Sequence, residues 1–255
     1  MARTSSLEPE ELRARTMERF LDCFEAVPLL TKFLLAALVA LHLAAGLWEM
    51  THRQVLWFWA VFGSHSNPVL IEFGARAQGR VAQGELWRLV TCGFVHGDLI
   101  HLIVNGLALV GLGRLGEAVF GPARFMWIFL LSVVGGALAA QAHGGSISFG
   151  ASGGLFGVMG ALLSFGWLRR EYLPAQMLGV FGKQLVVWTA LNLIIGFFLP
   201  FVSSPSHVGG LITGLVAGLL HEDRLTNDQA PNEGAFVLTT TAVLGLSFAI
   251  LVLRR

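Results

Sequence analysis

The sequence predicts an all-α, polytopic membrane protein. Of its 255 residues, 55% are hydrophobic and only 13% are charged, whereas a soluble domain usually carries about 25% charged residues. Several apolar stretches approach the roughly 20 residues that a transmembrane helix needs. The net charge of +1 argues against a nucleic-acid partner, which would require a basic face. Two cysteines, Cys23 and Cys92, are too few for a disulfide framework.

The apolar stretches predict six spans in a core and a seventh span behind a polar linker. The predicted spans cover residues 29–48, 99–116, 124–143, 150–168, 185–202, 205–221 and 235–253. The corresponding domains are an N-terminal segment 1–28, a six-helix core 29–221, a linker 222–234 and a seventh helix within 235–255.

Two segments are expected at the membrane surface rather than across the bilayer. In the segment 1–28, Met17, Phe20 and Phe24 recur at helical spacing, which fits a short amphipathic helix as well as it fits a disordered tail. The first loop, 49–98, is rich in tryptophan and contains apolar stretches too short to cross. We therefore expect this loop to be embedded in the headgroup region.

The distribution of lysine and arginine predicts the orientation. With the seven spans above, eleven basic residues fall on the side of the N-terminus and six on the other side. Because cytoplasmic loops carry the excess of basic residues, the N-terminus is expected in the cytoplasm. We found no transit segment, which favours a bacterial inner membrane over an organelle membrane.

Four polar side chains are predicted at one depth in the outer leaflet. Spans two, four and six all run inward, so Ser152 and His207 each lie in the first turn of a helix, level with His101 and Asn105. His101 and Asn105 are four residues apart and share a helix face. An ionisable group within a span is a functional candidate by default. A serine and an imidazole within hydrogen-bond reach are the minimum for an activated nucleophile.

Glycine spacing predicts that the serine helix and the histidine helix touch. Gly210, Gly214 and Gly218 repeat every four residues in span six, as do Gly153 and Gly157 in span four. Small residues at this spacing let two helix backbones approach closely. His207 lies on the same face as the glycines of its helix.

Other classes of intramembrane function fit the residues less well. A metalloprotease needs a His-Glu-x-x-His pair on one helix face, but His96 and His101 are five residues apart. An aspartyl protease needs two aspartates within the spans, and the predicted spans contain none. A transporter would be expected to show broken helices or paired intramembrane charges, and the motifs of the predicted core provide neither.

Three motifs carry the polar residues of the predicted core: GASG at 150–153, HLIVN at 101–105 and SHVGGLITG at 206–214. These motifs resemble the signatures of the rhomboid family of intramembrane serine proteases. Trp87-Arg88 and Glu117 are supporting matches. The resemblance implies a rhomboid-like bundle of 6+1 transmembrane helices. Ser206 departs from the family, in which alanine is more usual at this position.

The resemblance also implies roles for individual residues. Ser152 would be the nucleophile and His207 the general base and acid. The oxyanion hole would be formed by His101, Asn105 and the Ser152 backbone N–H. The implied supporting residues are Phe156 against the base and Gly150, Gly153 and Gly210.

The chemistry expected of these residues is that of a serine–histidine dyad. No carboxylate is placed to orient His207, since only Asp98 lies near its depth. His207 must be neutral to accept a proton, so activity should fall under acidic conditions. No metal and no organic cofactor are expected.

The expected function is an intramembrane serine endopeptidase. Its expected substrates are single-span membrane proteins within the lipid bilayer, cut near the outer face. The alternative is a catalytically silent relative that binds transmembrane clients.

Overall fold

A computed structural model describes residues 8–199, 202–220 and 223–226. Each of the first six predicted spans is a helix, and the predicted seventh span lies outside the described residues. The helices are α1 (Pro9–Glu25), α2 (Leu29–Arg53), α3 (Trp57–Phe62), α4 (Asn67–Glu72), α5 (Gln78–Ala82), α6 (Arg88–Thr91), α7 (Leu99–Phe120), α8 (Pro122–Ala142), α9 (Ser152–Leu168), α10 (Ala175–Leu178), α11 (Leu185–Phe198) and α12 (Ser204–Leu220). Two short strands, β1 (Arg76–Ala77) and β2 (Ile147–Ser148), pair antiparallel.

The described helices fall into two length classes. Four helical stretches are long and apolar enough to cross a membrane: Pro9–Arg53, Leu99–Phe120, Pro122–Ala142 and Ala175–Phe198. Helices α9 and α12 are apolar but have only 17 residues each. At 1.5 Å per residue they measure about 25 Å, which is less than the roughly 30 Å of a hydrocarbon core. These two helices carry the predicted nucleophile and base at their first turns.

Helix α9 forms the centre of the bundle and packs closely on α12. A Cβ added at Gly210 would collide with the backbone of Gly153, and one added at Gly214 would collide with the backbone of Gly157. The predicted contact between the two glycine ridges is therefore confirmed. Two helices can approach this closely only where the facing positions are glycines, because a side chain would fill the space between the backbones.

Helix α1 packs against the end of the bundle that is predicted to be cytoplasmic. Phe20 makes an edge contact with Phe181 at 6.0 Å between ring centroids. Arg13 donates from Nε to the Glu171 carbonyl oxygen at 3.2 Å. Of the two expectations for the N-terminal segment, the structure has a helix over residues 9–25, and residues 1–7 lie outside the described part of the chain.

The first loop is tied to the bundle by buried arginines. Arg76 is fully buried and donates to Ser148 Oγ at 2.7 Å, Gln141 Oε1 at 2.8 Å and the Gly145 carbonyl oxygen at 2.7 Å. Strand β1, which contains Arg76, pairs with β2. These contacts hold the loop beside the turn that leads into α9.

Arg88 and Glu117 anchor chain segments. Arg88 donates to the carbonyl oxygens of Ile71 and Ala75. Glu117 accepts from the backbone N–H and the hydroxyl of Thr31, both at 2.6 Å, which joins α7 to α2.

The fifth span differs from its predicted bounds. The helical stretch begins at Ala175 and ends at Phe198, whereas the prediction was 185–202. A π-helical segment, Gly179–Gln184, connects α10 to α11. Its two glycines and Lys183 reduce the apolar signal at the start of the stretch, so hydropathy alone did not include it.

Candidate active site

Ser152 and His207 meet at the first turns of their helices. Ser152 is the first residue of α9 and His207 lies in the first turn of α12. The distance between Ser152 Oγ and His207 Nε2 is 2.9 Å, which is a hydrogen bond. The imidazole is 8% exposed. The close packing of the glycine ridges one turn further along the two helices brings these side chains together.

The His207 ring is held by an aromatic contact rather than by a carboxylate. Phe156, one turn after Ser152, stacks on the imidazole with ring centroids 4.3 Å apart. Among the described residues, His207 Nδ1 has no hydrogen-bond partner. Gly196 of α11 lies against this nitrogen, since a Cβ at Gly196 would be 3.2 Å from it. The arrangement is a dyad within the described part of the chain.

Asn105 lies beside the start of α9 and is held by His96. Asn105 is 5% exposed, and its Nδ2 lies 3.1 Å from His96 Nε2. The Ala151 backbone N–H donates to the same His96 nitrogen at 3.5 Å. His96 thus links α7 to the residue that precedes Ser152.

The protonation state of His96 fixes the direction of its hydrogen bonds. Burial, assisted by the nearby His101, lowers the pKa of His96 to about 3, so the ring is neutral near pH 7. Its Nδ1 lies 3.3 Å from the Phe94 carbonyl oxygen, which can only accept, so Nδ1 carries the proton. Nε2 is then an acceptor. Asn105 Nδ2 therefore donates one N–H to His96 and keeps a second N–H.

His101 lies on the same side of the site. A Cβ at Gly150 would be 2.7 Å from His101 Nε2 and 3.5 Å from Asn105 Nδ2. Gly150 has φ +110°, a conformation that favours glycine. His101 also makes an edge contact with His96, with ring centroids 4.9 Å apart. The two predicted oxyanion residues thus both face the GASG turn.

The structure brings together all the predicted site residues. Two features of the site were not evident from the sequence. The contact between His96 and Asn105 is one of them, because His96 lies in the loop nine positions before Asn105 and no helical spacing relates the two. Gly196 carried no signal, because a single glycine in an apolar span does not reveal its neighbour. Within the described residues, no group of three or more His, Cys, Asp or Glu side chains could hold a metal ion.

The chain is similar to known proteins over this core. A sequence model of the Rhomboid domain matches residues 83–223. The chain is 36% identical over 155 residues to the rhomboid protease GluP of Bacillus subtilis, a match that covers 61% of this chain and 30% of GluP. It is 35% identical over 161 residues to RHOMBOID-like protein 5 of Arabidopsis thaliana, with 61% and 50% of the two chains covered.

A third relative is the rhomboid protease GlpG of Photorhabdus laumondii, at 34% identity over 138 residues, with 53% of this chain and 47% of GlpG covered. The chain thus spans half or less of the length of these three curated relatives. The Rhomboid match covers more than half of the 255 residues and coincides with the apolar helices. The protein is therefore an integral membrane protein of the rhomboid family.

Proposed function

We propose that this protein is an intramembrane serine endopeptidase. The observation that carries the proposal is the 2.9 Å hydrogen bond between Ser152 Oγ and His207 Nε2, formed at the first turns of the two short central helices. Two relatives that bear the name rhomboid protease match this core.

The dyad supports acyl transfer. His207 Nε2 takes the proton from Ser152 Oγ as the oxygen attacks the scissile carbonyl carbon. When the tetrahedral intermediate collapses, the same nitrogen gives the proton to the leaving amine. A water molecule, deprotonated by His207, then attacks the acyl-enzyme and releases Ser152.

The developing oxyanion would be bound by donors on two sides. The backbone N–H groups of the first turn of α9 have no intrahelical partner, and no side chain caps this helix. The second N–H of Asn105 and the ring of His101 face the same turn. Removal of one oxyanion-hole donor typically costs about 10² to 10³ in kcat.

The proposed substrates are transmembrane segments of membrane proteins, cut near the outer face. The site lies at the starts of two helices that are about 5 Å shorter than a hydrocarbon core, which brings it near water from one side. With the predicted cytoplasmic N-terminus, that side is the outer one. We propose a bacterial plasma membrane as the location.

Substrates would enter beside α11. Phe197 and Phe198, at the end of α11, are each 76% exposed and present aromatic rings outward at the end of the helix near the site. A gate between α11 and α7 is the proposed route. Cross-linking the two helices should block cleavage of a transmembrane substrate, and unchanged cleavage would reject this route.

The activity can be tested with a serine-directed fluorophosphonate on the purified protein in detergent. We expect labelling of the wild type and none of Ser152→Ala. Ser206→Ala is a matched control, because it removes a neighbouring hydroxyl on α12 outside the dyad, and it should label like the wild type. Equal labelling of wild type and Ser152→Ala would contradict the nucleophile and would favour the silent, client-binding alternative.

A further inference from the structure

A second polar cluster lies outside the site, between α2 and the first loop. Its members are Glu49, His65 and His42, which are 5%, 6% and 3% exposed. Glu49 Oε2 lies 2.8 Å from His65 Nδ1, and His65 Nε2 lies 3.2 Å from His42 Nδ1. His42 Nε2 lies 3.1 Å from the carbonyl oxygen of Val61. The groups follow one another in a line, as in a hydrogen-bond relay, and do not converge on one point.

The number of protons in this line follows from its two ends. The Val61 carbonyl oxygen can only accept, so His42 Nε2 carries a proton. The contact between the two rings needs one proton, and the contact between His65 and Glu49 needs another. Three protons are therefore required, whereas two neutral imidazoles and a carboxylate supply two. The line must hold one additional proton.

The additional proton belongs on His65. An imidazole binds a proton more tightly than a carboxylate does in water, and Glu49 accepts hydrogen bonds from the backbone N–H and the hydroxyl of Ser66, both at 3.2 Å. Those bonds favour the ionised carboxylate. A buried charge is costly unless it is paired, and the His65 imidazolium and the Glu49 carboxylate neutralise each other.

The other charged groups near the line come from two elements. Arg53 of α2 donates to Ser66 Oγ at 2.6 Å, and the same hydroxyl donates to Glu49. Asp98 and His96, from the segment before α7, lie within electrostatic range of His42.

This line is connected to the proposed oxyanion residues through hydrogen bonds of the segment before α7. The His65 backbone N–H donates to the Gly97 carbonyl oxygen at 2.7 Å, and Ser64 forms an isolated antiparallel bridge with Asp98. Asp98 caps α7 by accepting from the His101 backbone N–H at 2.8 Å. On the other side of Gly97, His96 holds Asn105.

We propose that Glu49, His65 and His42 are positioning residues that hold the segment 94–98 through one shared proton and so place His101 and Asn105 for catalysis. This rests on the proposed protease function. Loss of the shared proton at high pH leaves a buried, unpaired carboxylate and one broken contact in the line. The segment then loosens, and turnover falls.

The variant Glu49→Gln removes the negative charge of residue 49 and keeps nearly the same side-chain shape. Its Oε1 can still accept from Ser66, while its amide N–H donates to His65 Nδ1. His65 Nε2–H then donates to His42, and His42 Nε2–H donates to Val61, so every contact is made with two neutral rings. We expect kcat near the wild-type value at neutral pH and a weaker loss of kcat on the alkaline side. If kcat of this variant falls above neutral pH in the same way as kcat of the wild type, the proposal is overturned.

The variant His65→Gln interrupts the line. We expect kcat per fluorophosphonate-reactive site to fall about tenfold or more with KM nearly unchanged, because oxyanion contacts form in the transition state. His52→Gln, at an exposed histidine of α2, is the matched control and should behave as the wild type. An unchanged kcat in His65→Gln would also overturn the proposal.

Nitrogen NMR of histidine-labelled protein gives a readout that does not depend on cleavage or on the folding of His65→Gln. At neutral pH the wild type should show one imidazolium ring that is neutral in Glu49→Gln. Identical spectra of the two proteins would refute the shared proton. If the wild type cleaves no substrate and is not labelled, the proposed protease function fails, while these spectra still decide whether the line holds its proton.

Discussion

The ring of Phe156 lies nearly parallel to the imidazole of His207, with 4.3 Å between centroids and 24° between the planes. In the described residues this contact takes the place of the carboxylate that orients the base in a catalytic triad. In the proposed mechanism, the orientation of the base would therefore depend on Phe156, which lies one turn after Ser152 on the same helix.

Replacing Phe156 by leucine should lower kcat by about two- to tenfold, since an aromatic contact contributes about 0.5–1.5 kcal/mol beyond burial. Phe156→Tyr keeps the ring and should retain more activity. Phe165→Leu, at a ring further along α9 that contacts Phe120 and Phe181, should lower thermal stability and leave kcat per labelled site unchanged. Equal kcat in Phe156→Leu and wild type would show that stacking does not orient the base.

Gly210→Ala should destabilise the bundle, because its Cβ would collide with the backbone of Gly153. Overpacking costs about 1–3 kcal/mol, and the separation of α12 from α9 would also lengthen the bond between Ser152 and His207. Thermal unfolding and fluorophosphonate labelling measure the two effects. Gly111→Ala is the control, because a Cβ at Gly111 meets no atom within 4 Å, and an equal effect of both variants would contradict the close contact.

Activity should fall reversibly as the solution is acidified. A proton on His207 Nε2 removes the acceptor for the Ser152 hydroxyl, so the protonated form is inactive. The profile of kcat/KM against pH, measured with recovery of activity after return to neutral pH, checks this. A profile that stays flat down to about pH 4 would exclude His207 as the base.

Cysteine labelling should report the orientation directly. Cys92 is 5% exposed, and burial raises the pKa of its thiol to about 12, so it should not react with maleimide in the folded protein. Cys23 is half-buried on α1 and is the expected reactive thiol. A membrane-impermeant maleimide should label Cys23 in inverted vesicles and not in intact cells; both thiols should react after denaturation. Labelling of Cys23 in intact cells would reverse the proposed orientation.

The spans and the dyad were predictable because their signals are local or periodic. Helical spans follow from apolar stretches, and the Gly153 and Gly210 ridges follow from a four-residue repeat. Equal depth of Ser152 and His207 then follows from counting spans. These predictions needed no knowledge of how side chains meet across the bundle.

The polar interior of the first loop could not be predicted in the same way. Arg76 bonds to residues 65 to 72 positions away, and such pairings have no period in the sequence. Likewise, the contacts of His65 with His42 and with Glu49 form only once α2 and the loop are folded together. Buried polar contacts of this kind depend on tertiary structure alone.

The short helix α9 packs against α12, α8 and α7, and most of its residues are buried. Its length therefore does not have to match the thickness of the surrounding lipid, whereas the length of a substrate's transmembrane segment does. For the proposed protease, the depth of the substrate in the bilayer would set the bond that is cut. A bilayer with longer acyl chains would raise or tilt the substrate and leave Ser152 at the same height within the protein. Lipid composition would thus shift the proposed cleavage position along one substrate without any change in the protein.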